Sequence, residues 1–261
     1  MLFTTLSFIV FLVVVLALFY ALPRSGRRYL LLAASLFFYM AWNAKFIVLI
    51  VGLITVDYFA ALWIARRKGP RRRIALIVSL CANLGMLGWF KYANFLRDTW
   101  IHLIHPGAMV RPLDIILPLG ISFHTFQSIS YVIDVYRDEE PAVSSYVDYA
   151  LFVAFFPQLV AGPIVRAREF FQDLRKWRPP TGAEWQQGFA TILTGFVKKL
   201  VFADQFALVA DRYFGNPAAA PGMAPAWTGA FAFALQIFFD FSGYTDIAIG
   251  VALLFGFHFP E

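Results

Sequence analysis

Two groups of polar side chains in this chain have the types and spacing to handle protons or to hold a hydroxylated ligand, and both sit inside long apolar stretches. His124, Gln127, Ser128 and Tyr131 fall at i, i+3, i+4 and i+7, so a helix carries all four on one stripe. An imidazole, an amide and two hydroxyls on one face suit a functional cavity; a structural network between helices uses the same groups. His124 taken alone fits a packing role better than a catalytic one. Gln236, Asp240 and Tyr244 align at i, i+4 and i+8, with Ser242 and Asp246 on a second face. Two carboxylates in an apolar setting need partners, and Lys198 and Lys199, from another apolar stretch, are plausible ones. The pattern fits a charge-paired core and a polar tunnel wall equally.

A third segment is chemically odd in its backbone. Residues 155–166 read Phe-Phe-Pro-Gln-Leu-Val-Ala-Gly-Pro-Ile-Val-Arg, with Pro157 and Pro163 framing Gly162 beside Gln158 and Arg166. Proline removes a backbone donor and clashes with the preceding turn, so a continuous helix is disfavoured. A re-entrant loop or a helix-break-helix fits, and a cytoplasmic elbow is the plainer alternative. The stretch 166–178 then carries Arg166, Arg168, Arg175, Lys176 and Arg178 against Glu169 and Asp173. That excess suits a cytoplasmic loop and would also attract an anionic cofactor. Asp57 stands by itself in an apolar run and reads as structural, satisfied by one neighbour such as a tyrosine or a backbone group. No Walker loop, Gly-x-Ser-x-Gly elbow or His-Glu-x-x-His is present. The lone Cys81 excludes an internal disulfide and a cysteine metal cluster.

The elements that position these groups are membrane helices. Of 261 residues 60% are hydrophobic and 15% charged, against about half and a quarter in soluble domains. The net charge of +6 is confined to short blocks between apolar runs, at residues 24–28 and 66–73, which is the positive-inside pattern rather than a nucleic-acid surface. Residues 2–22 contain no charge and reach across about 30 Å of hydrocarbon. They lack the basic start and short core of a signal peptide. Further crossings are expected at 29–44, 46–65 and 74–90, with an external interfacial segment at 91–114. Both basic blocks then lie on one side, which places the N-terminus outside. Beyond residue 114 the runs 115–136, 146–165, 185–214 and 226–259 are interrupted by polar residues, tolerated at membrane depth only where protein or a water-filled cavity receives them. The expectation is an all-α polytopic membrane protein with re-entrant or broken helices. Residues 1–114 form scaffold helices and 115–261 the walls of an intramembrane polar tunnel. The localisation implied is the cytoplasmic membrane, with the lipid bilayer as partner.

Three blocks carry a resemblance. Leu117-Pro-Leu-Gly-Ile-Ser-Phe-His-Thr-Phe-Gln127 with Tyr131-Val-Ile-Asp-Val-Tyr-Arg137 is similar to the membrane-bound O-acyltransferase family, in its bacterial alginate O-acetyltransferase branch. The segment 155–166 is a second matching block, and residues 236–250 with 255–261 are a third. His124 departs from the tyrosine expected in this branch, which removes it as an inherited catalyst. The family's catalytic histidine and an Arg-Trp-His motif lie downstream of the block ending at Glu261. The resemblance therefore implies the N-terminal half of such an enzyme, with no catalytic residue here and no activity from residues 1–261 alone.

By that resemblance the reaction is transfer of an acyl group, usually acetyl, from acetyl-CoA or another acetyl carrier to a glycan hydroxyl outside the membrane. No metal is implied, and a periplasmic acetyl-handling protein is a common partner. Gln127, Gln158, Gln236, Asp240 and Tyr244 become tunnel-lining candidates, and Arg166, Lys198 and Lys199 donor-side candidates. A transporter or channel, or a non-catalytic scaffold subunit, would use the same polar stripes.

Overall fold

Wherever the chain is described, its regular structure is helical. The computed structural model describes residues 3–105, 111–159, 162–216 and 221–260, and no strand occurs among them. The helices are α1 (Leu6–Ala21), α2 (Arg24–Asn43), α3 (Ile47–Arg66), α4 (Pro70–Leu87), α5 (Ala93–Ile104), α6 (Ile121–Tyr136) and α7 (Tyr146–Ala154). They continue with α8 (Phe156–Leu159), α9 (Ala167–Arg175), α10 (Gly182–Val197), α11 (Asp204–Gly215) and α12 (Met223–Leu254). Two π-helical segments, Gly88–Tyr92 and Lys198–Ala203, join α4 to α5 and α10 to α11.

Three stretches among the described residues are long and apolar enough to cross a membrane: Arg24–Arg66, Pro70–Ile104 and Met223–Leu254. The first exceeds one crossing. It comprises α2 and α3, separated where Asn43 turns extended and a 3-10 turn, Ala44–Phe46, intervenes. The second continues past the expected end at residue 90, because the π turn at Gly88–Tyr92 carries the helix on to Ile104. Residues 115–136 are helical only from Ile121. Residues 111–118 carry no regular structure, and Gly120 adopts φ +67° where a Cβ would collide with the Leu159 carbonyl. The 16 residues of α6 cover about 24 Å, less than a full hydrocarbon thickness.

The chain divides into two compact units, residues 23–160 with 166–171, and residues 1–22 with 161–165 and 172–261. In the first, α3 packs along α4 and α6, and α7 lies against α2 and α3. Its centre is aromatic: the Tyr131 and Tyr149 rings are 4.8 Å apart, and Phe152 stands 5.2 Å from Phe171 and 5.5 Å from Phe170. Arg72 closes the end of α6, donating to the Tyr136 carbonyl at 2.7 Å and pairing with Asp138 at 2.8 Å.

In the second unit α12 is the axis, packed by α10 and α11. Glycines set the closest approach. A Cβ on Gly195 would stand 2.5 Å from the Gly243 carbonyl oxygen, and one on Gly250 would stand 2.6 Å from that of Gly188. Position 188 therefore faces 250 while 195 faces 243, so α10 and α12 run antiparallel with their backbones nearly touching. Small residues permit this approach in membrane helices, where dispersion rather than water expulsion drives association.

Candidate functional site

Within the first unit the polar candidates resolve into two buried networks. Asp57 lies on α3 with no exposure. Its carboxylate accepts from Ser79 Oγ at 2.6 Å and from Asn83 Nδ2 at 2.8 and 2.9 Å, both on α4. Ser79 and Asn83 are spaced i, i+4 and so share one face of α4. Asp57 is held by side chains of two neighbouring helices, Ser79 and Asn83 of α4 and Ser128 of α6, rather than by one tyrosine or backbone group.

The second network seals the break between α7 and α8. The helix stops at Ala154 because Phe155 takes ψ 114°. That leaves the Phe152 carbonyl and the Phe156 N–H without helical partners. Gln127 Nε2 donates to the Phe152 carbonyl at 2.9 Å, and Gln158 Nε2 donates to the same oxygen at 2.5 Å. The Phe156 N–H donates to Ser35 Oγ at 3.1 Å, and that hydroxyl donates in turn to the Leu31 carbonyl. Gln127 and Gln158 are 4% and 3% exposed, so the whole joint is inside protein. Of the stripe on α6, Tyr131 Oη accepts from the Val143 N–H at 2.9 Å, and Tyr149 donates to Ser128 at 3.5 Å. His124 is buried, and its Nε2 has no hydrogen-bond partner among the described residues. Arg166 is exposed, and its carbonyl accepts the first N–H groups of α9, from Glu169 and Phe170.

The second unit assembles the charged candidates. Lys199 Nζ stands 2.6 Å from Asp240 Oδ1 and 2.8 Å from Asp204 Oδ1. Lys198 Nζ stands 2.6 Å from Asp246 Oδ2 and donates to Ser242 Oγ at 2.9 Å. Each lysine thus serves one of the two polar faces read from the sequence of α12. Lys199 takes Asp240 and lies 5.7 Å from the Tyr244 ring, while Lys198 takes Ser242 and Asp246. The π segment explains the fork. Its five-residue turn puts Lys199 in line with Asp204, whose N–H donates to the Lys199 carbonyl. The glycine contact at 195 and 243 brings this segment against α12, since a Cβ on Gly243 would be 3.1 Å from the Lys199 nitrogen.

Two cations here meet three carboxylates, none fully buried: Asp240 and Asp204 are 39% and 45% exposed, Asp246 and Lys199 both 19%. A cavity of about 480 Å³ opens beside Lys198, Ser242 and Asp246, with Thr191 and Thr194 of α10 and Thr245 of α12 in its wall. One turn before Asp240, Gln236 Oε1 is buried with no hydrogen-bond partner among the described residues.

The histidine after α12 is held at the end of this unit. The His258 N–H donates to Asp173 Oδ2 at 2.6 Å, and Nε2 lies 3.0 Å from Glu184 Oε1. Glu184 also closes a capping box with Thr181 and receives both arms of Arg178 at 2.6 and 2.7 Å. The Arg178 guanidinium, then His258 and the Thr181 N–H, hold the Glu184 carboxyl well below its ordinary value of 4.5. Among the described residues, no three His, Cys, Asp or Glu side chains gather as metal ligands.

The sequence reading paired the lysines with the aspartates but missed the glycines at 188, 195, 243 and 250, whose signal is the same seven-residue spacing on two helices. It also missed Ser35, Ser79 and Asn83, short polar residues that nothing in their own runs marks out.

Comparison with known proteins locates these features. The model of the membrane-bound O-acyltransferase family matches residues 137–260. The probable alginate O-acetylase AlgI of Pseudomonas aeruginosa is 42% identical over 257 residues, 96% of this chain and 48% of that protein. A peptidoglycan O-acetyltransferase of Helicobacter pylori is 36% identical, over 88% of this chain and 48% of its own length. A teichoic acid D-alanyltransferase of Bacillus subtilis is 31% identical, over 64% and 42%. The chain spans about half the length of the curated relatives it matches. It belongs to the membrane-bound O-acyltransferase family, in the alginate O-acetylase-like branch.

Proposed function

We propose that this chain supplies scaffold helices (residues 1–114) and part of the tunnel wall (residues 115–261) of an O-acyltransferase of the cytoplasmic membrane. Its reaction moves an acyl group, acetyl, onto hydroxyls of a polysaccharide outside that membrane. The observation that carries the reading is the lysine–aspartate lattice of the π segment and α12, charged and half-open among apolar helices. Ionisable groups at such a position mark function by default. The names of the relatives support the reaction class, since they name O-acetylation of alginate and peptidoglycan and D-alanylation of teichoic acid.

In this reading Asp240, Tyr244 and Gln236 line the path of the acceptor, and Gln127 and Gln158 hold the chain break at Phe155 within their own unit. Lys198, Lys199 and Arg166 draw an anionic acyl carrier from the cytoplasmic side, and the N-terminus lies outside. In the transfer a general base removes the acceptor hydroxyl proton, and the oxygen attacks the acyl carbonyl. The bond from that carbonyl to the carrier breaks, and the carrier leaves with a proton. No residue of this chain is assigned as the base. The lattice acts through electrostatics and position.

The test is acetylation of the envelope polysaccharide by cells making the protein at its natural length, with Lys199→Met and Asp240→Asn. Each variant should reach the membrane in normal amount and lose about tenfold or more in acetyl transfer, the order of loss for groups that position the reacting ones. Undiminished acetylation in both would sink the assignment of this lattice.

A further inference from the structure

A second cavity lies on α3 and α4, and its lining includes no residue of the glutamine joint or of the lysine–aspartate lattice. Its volume is about 610 Å³, within the range of ligand-sized clefts. The floor is Ala60 and Ala75, both buried, and the walls are the exposed side chains of Phe59, Trp63, Ile74 and Val78. At one end of this apolar trough stands a single charge, Arg71.

Arg71 differs from its neighbour. Arg72 is committed to Asp138 and to the end of α6, whereas Arg71 is exposed and has no ion pair among the described residues. It belongs to the run Arg66, Arg67, Lys68, Arg71, Arg72 and Arg73, which contains no acidic residue. Arg67 lies 5.6 Å over the ring of Trp63, itself a wall residue, which places a second guanidinium near the cavity. An apolar trough ending beside Arg71, a guanidinium with no ion pair among the described residues, has the two-part chemistry of a phospholipid with a negatively charged headgroup. Basic clusters at helix ends attract such lipids by about fivefold per charge, and clefts between helices hold their headgroups.

We propose that the α3–α4 cavity is a binding site for one anionic phospholipid, its phosphate at Arg71 and Arg67 and an acyl chain along Ala60, Ala75 and Val78. Arg71 supplies the selectivity for charge, and Val78 stands in the wall where added bulk would fill the trough.

The experiment is native mass spectrometry of the protein in detergent, after exchange into equal amounts of phosphatidylglycerol and phosphatidylcholine. Retained phosphatidylglycerol should exceed phosphatidylcholine by about fivefold or more. Arg71→Gln should bring the two close to parity, and Val78→Trp should remove both while leaving the charges in place. Free phosphate added in excess should not displace the lipid. Equal retention of the two lipids by the unaltered protein, or a preference that survives both substitutions, overturns the proposal. Val78→Cys in a Cys81→Ser background adds a second readout. It should react with a maleimide once lipid is stripped; protection that persists without lipid means protein covers the trough, and this too overturns the proposal.

Discussion

The two polar assemblies of this molecule, the glutamine joint at Phe155 and the lysine–aspartate lattice at Lys198–Ala203, answer different physical problems. The joint is neutral and nearly inaccessible. Its side chains point at one orphaned backbone carbonyl and one orphaned N–H, and it lets a helix stop inside protein. Unpaired backbone groups at that depth cost several kcal/mol each, by the usual accounting for apolar surroundings. The lattice is charged and partly open, and the backbone it stands on is already bonded within its helices. The joint therefore stabilises a shape, whereas the lattice pairs charges beside an open cavity. Polar residues within apolar runs are not one class, and their partners tell the two kinds apart.

The largest effect that would test the contrast comes from the glycine seam supporting the lattice. Gly243→Leu drives a side chain toward the Gly195 carbonyl, which a Cβ alone would approach to 2.8 Å. The two helices must separate, at about 3 kcal/mol, and the lysines lose reach to Asp240 and Asp246. Acetyl transfer should be abolished and the thermal midpoint in detergent lowered, with the Phe152 cluster of the other unit still protected from proteolysis. A variant with full activity would show that the lattice does not depend on the seam.

A smaller effect separates the two assemblies directly. Gln127→Leu with Gln158→Leu leaves the Phe152 carbonyl buried and unbonded, at about 1–3 kcal/mol. Thermal stability should fall while acetyl transfer per folded molecule changes by less than about threefold, because no charge is moved. Lys199→Met should do the reverse. Were the double glutamine variant as stable as the parent but inactive, Gln127 and Gln158 would belong to the reaction path and the contrast would fail.

Much of this was legible in the sequence where a pattern is carried by one helix. The two faces of α12 follow from i, i+4 spacing, and lysines were the cations available to Asp240 and Asp246. The break near Pro157 follows from proline geometry, although its position at Phe155 depends on Ser35, which lies 121 residues from Phe156. What could not be read is what depends on pairs of helices. Gly188 opposes Gly250 only once the antiparallel packing is known, and Asn83 reaches Asp57 only because α4 lies along α3. The π segment was invisible for a related reason. Its five-residue turn leaves no mark in composition, and its consequence, two adjacent lysines reaching opposite faces of one partner, appears only in three dimensions.

The smallest expected effect concerns the cluster around Glu184, whose carboxylate caps the start of α10 rather than joining the lattice. Its carboxyl is depressed below 4.5 by Arg178, His258 and Thr181. A carboxyl whose folded value lies below its unfolded value adds stability that is fully present above the unfolded value. That stability is lost as pH falls from about 4.3 toward the folded value. The thermal midpoint should therefore be flat from neutral pH to about pH 5 and decline below it, and Glu184→Gln should flatten that decline. Because Arg178 is half-exposed, solvent screening keeps the difference small, and high salt should reduce it further. Acetyl transfer near neutral pH should be the same in both proteins. A midpoint for Glu184→Gln that falls as steeply as the parent's would assign the acid sensitivity elsewhere, with the lattice aspartates the next groups to substitute.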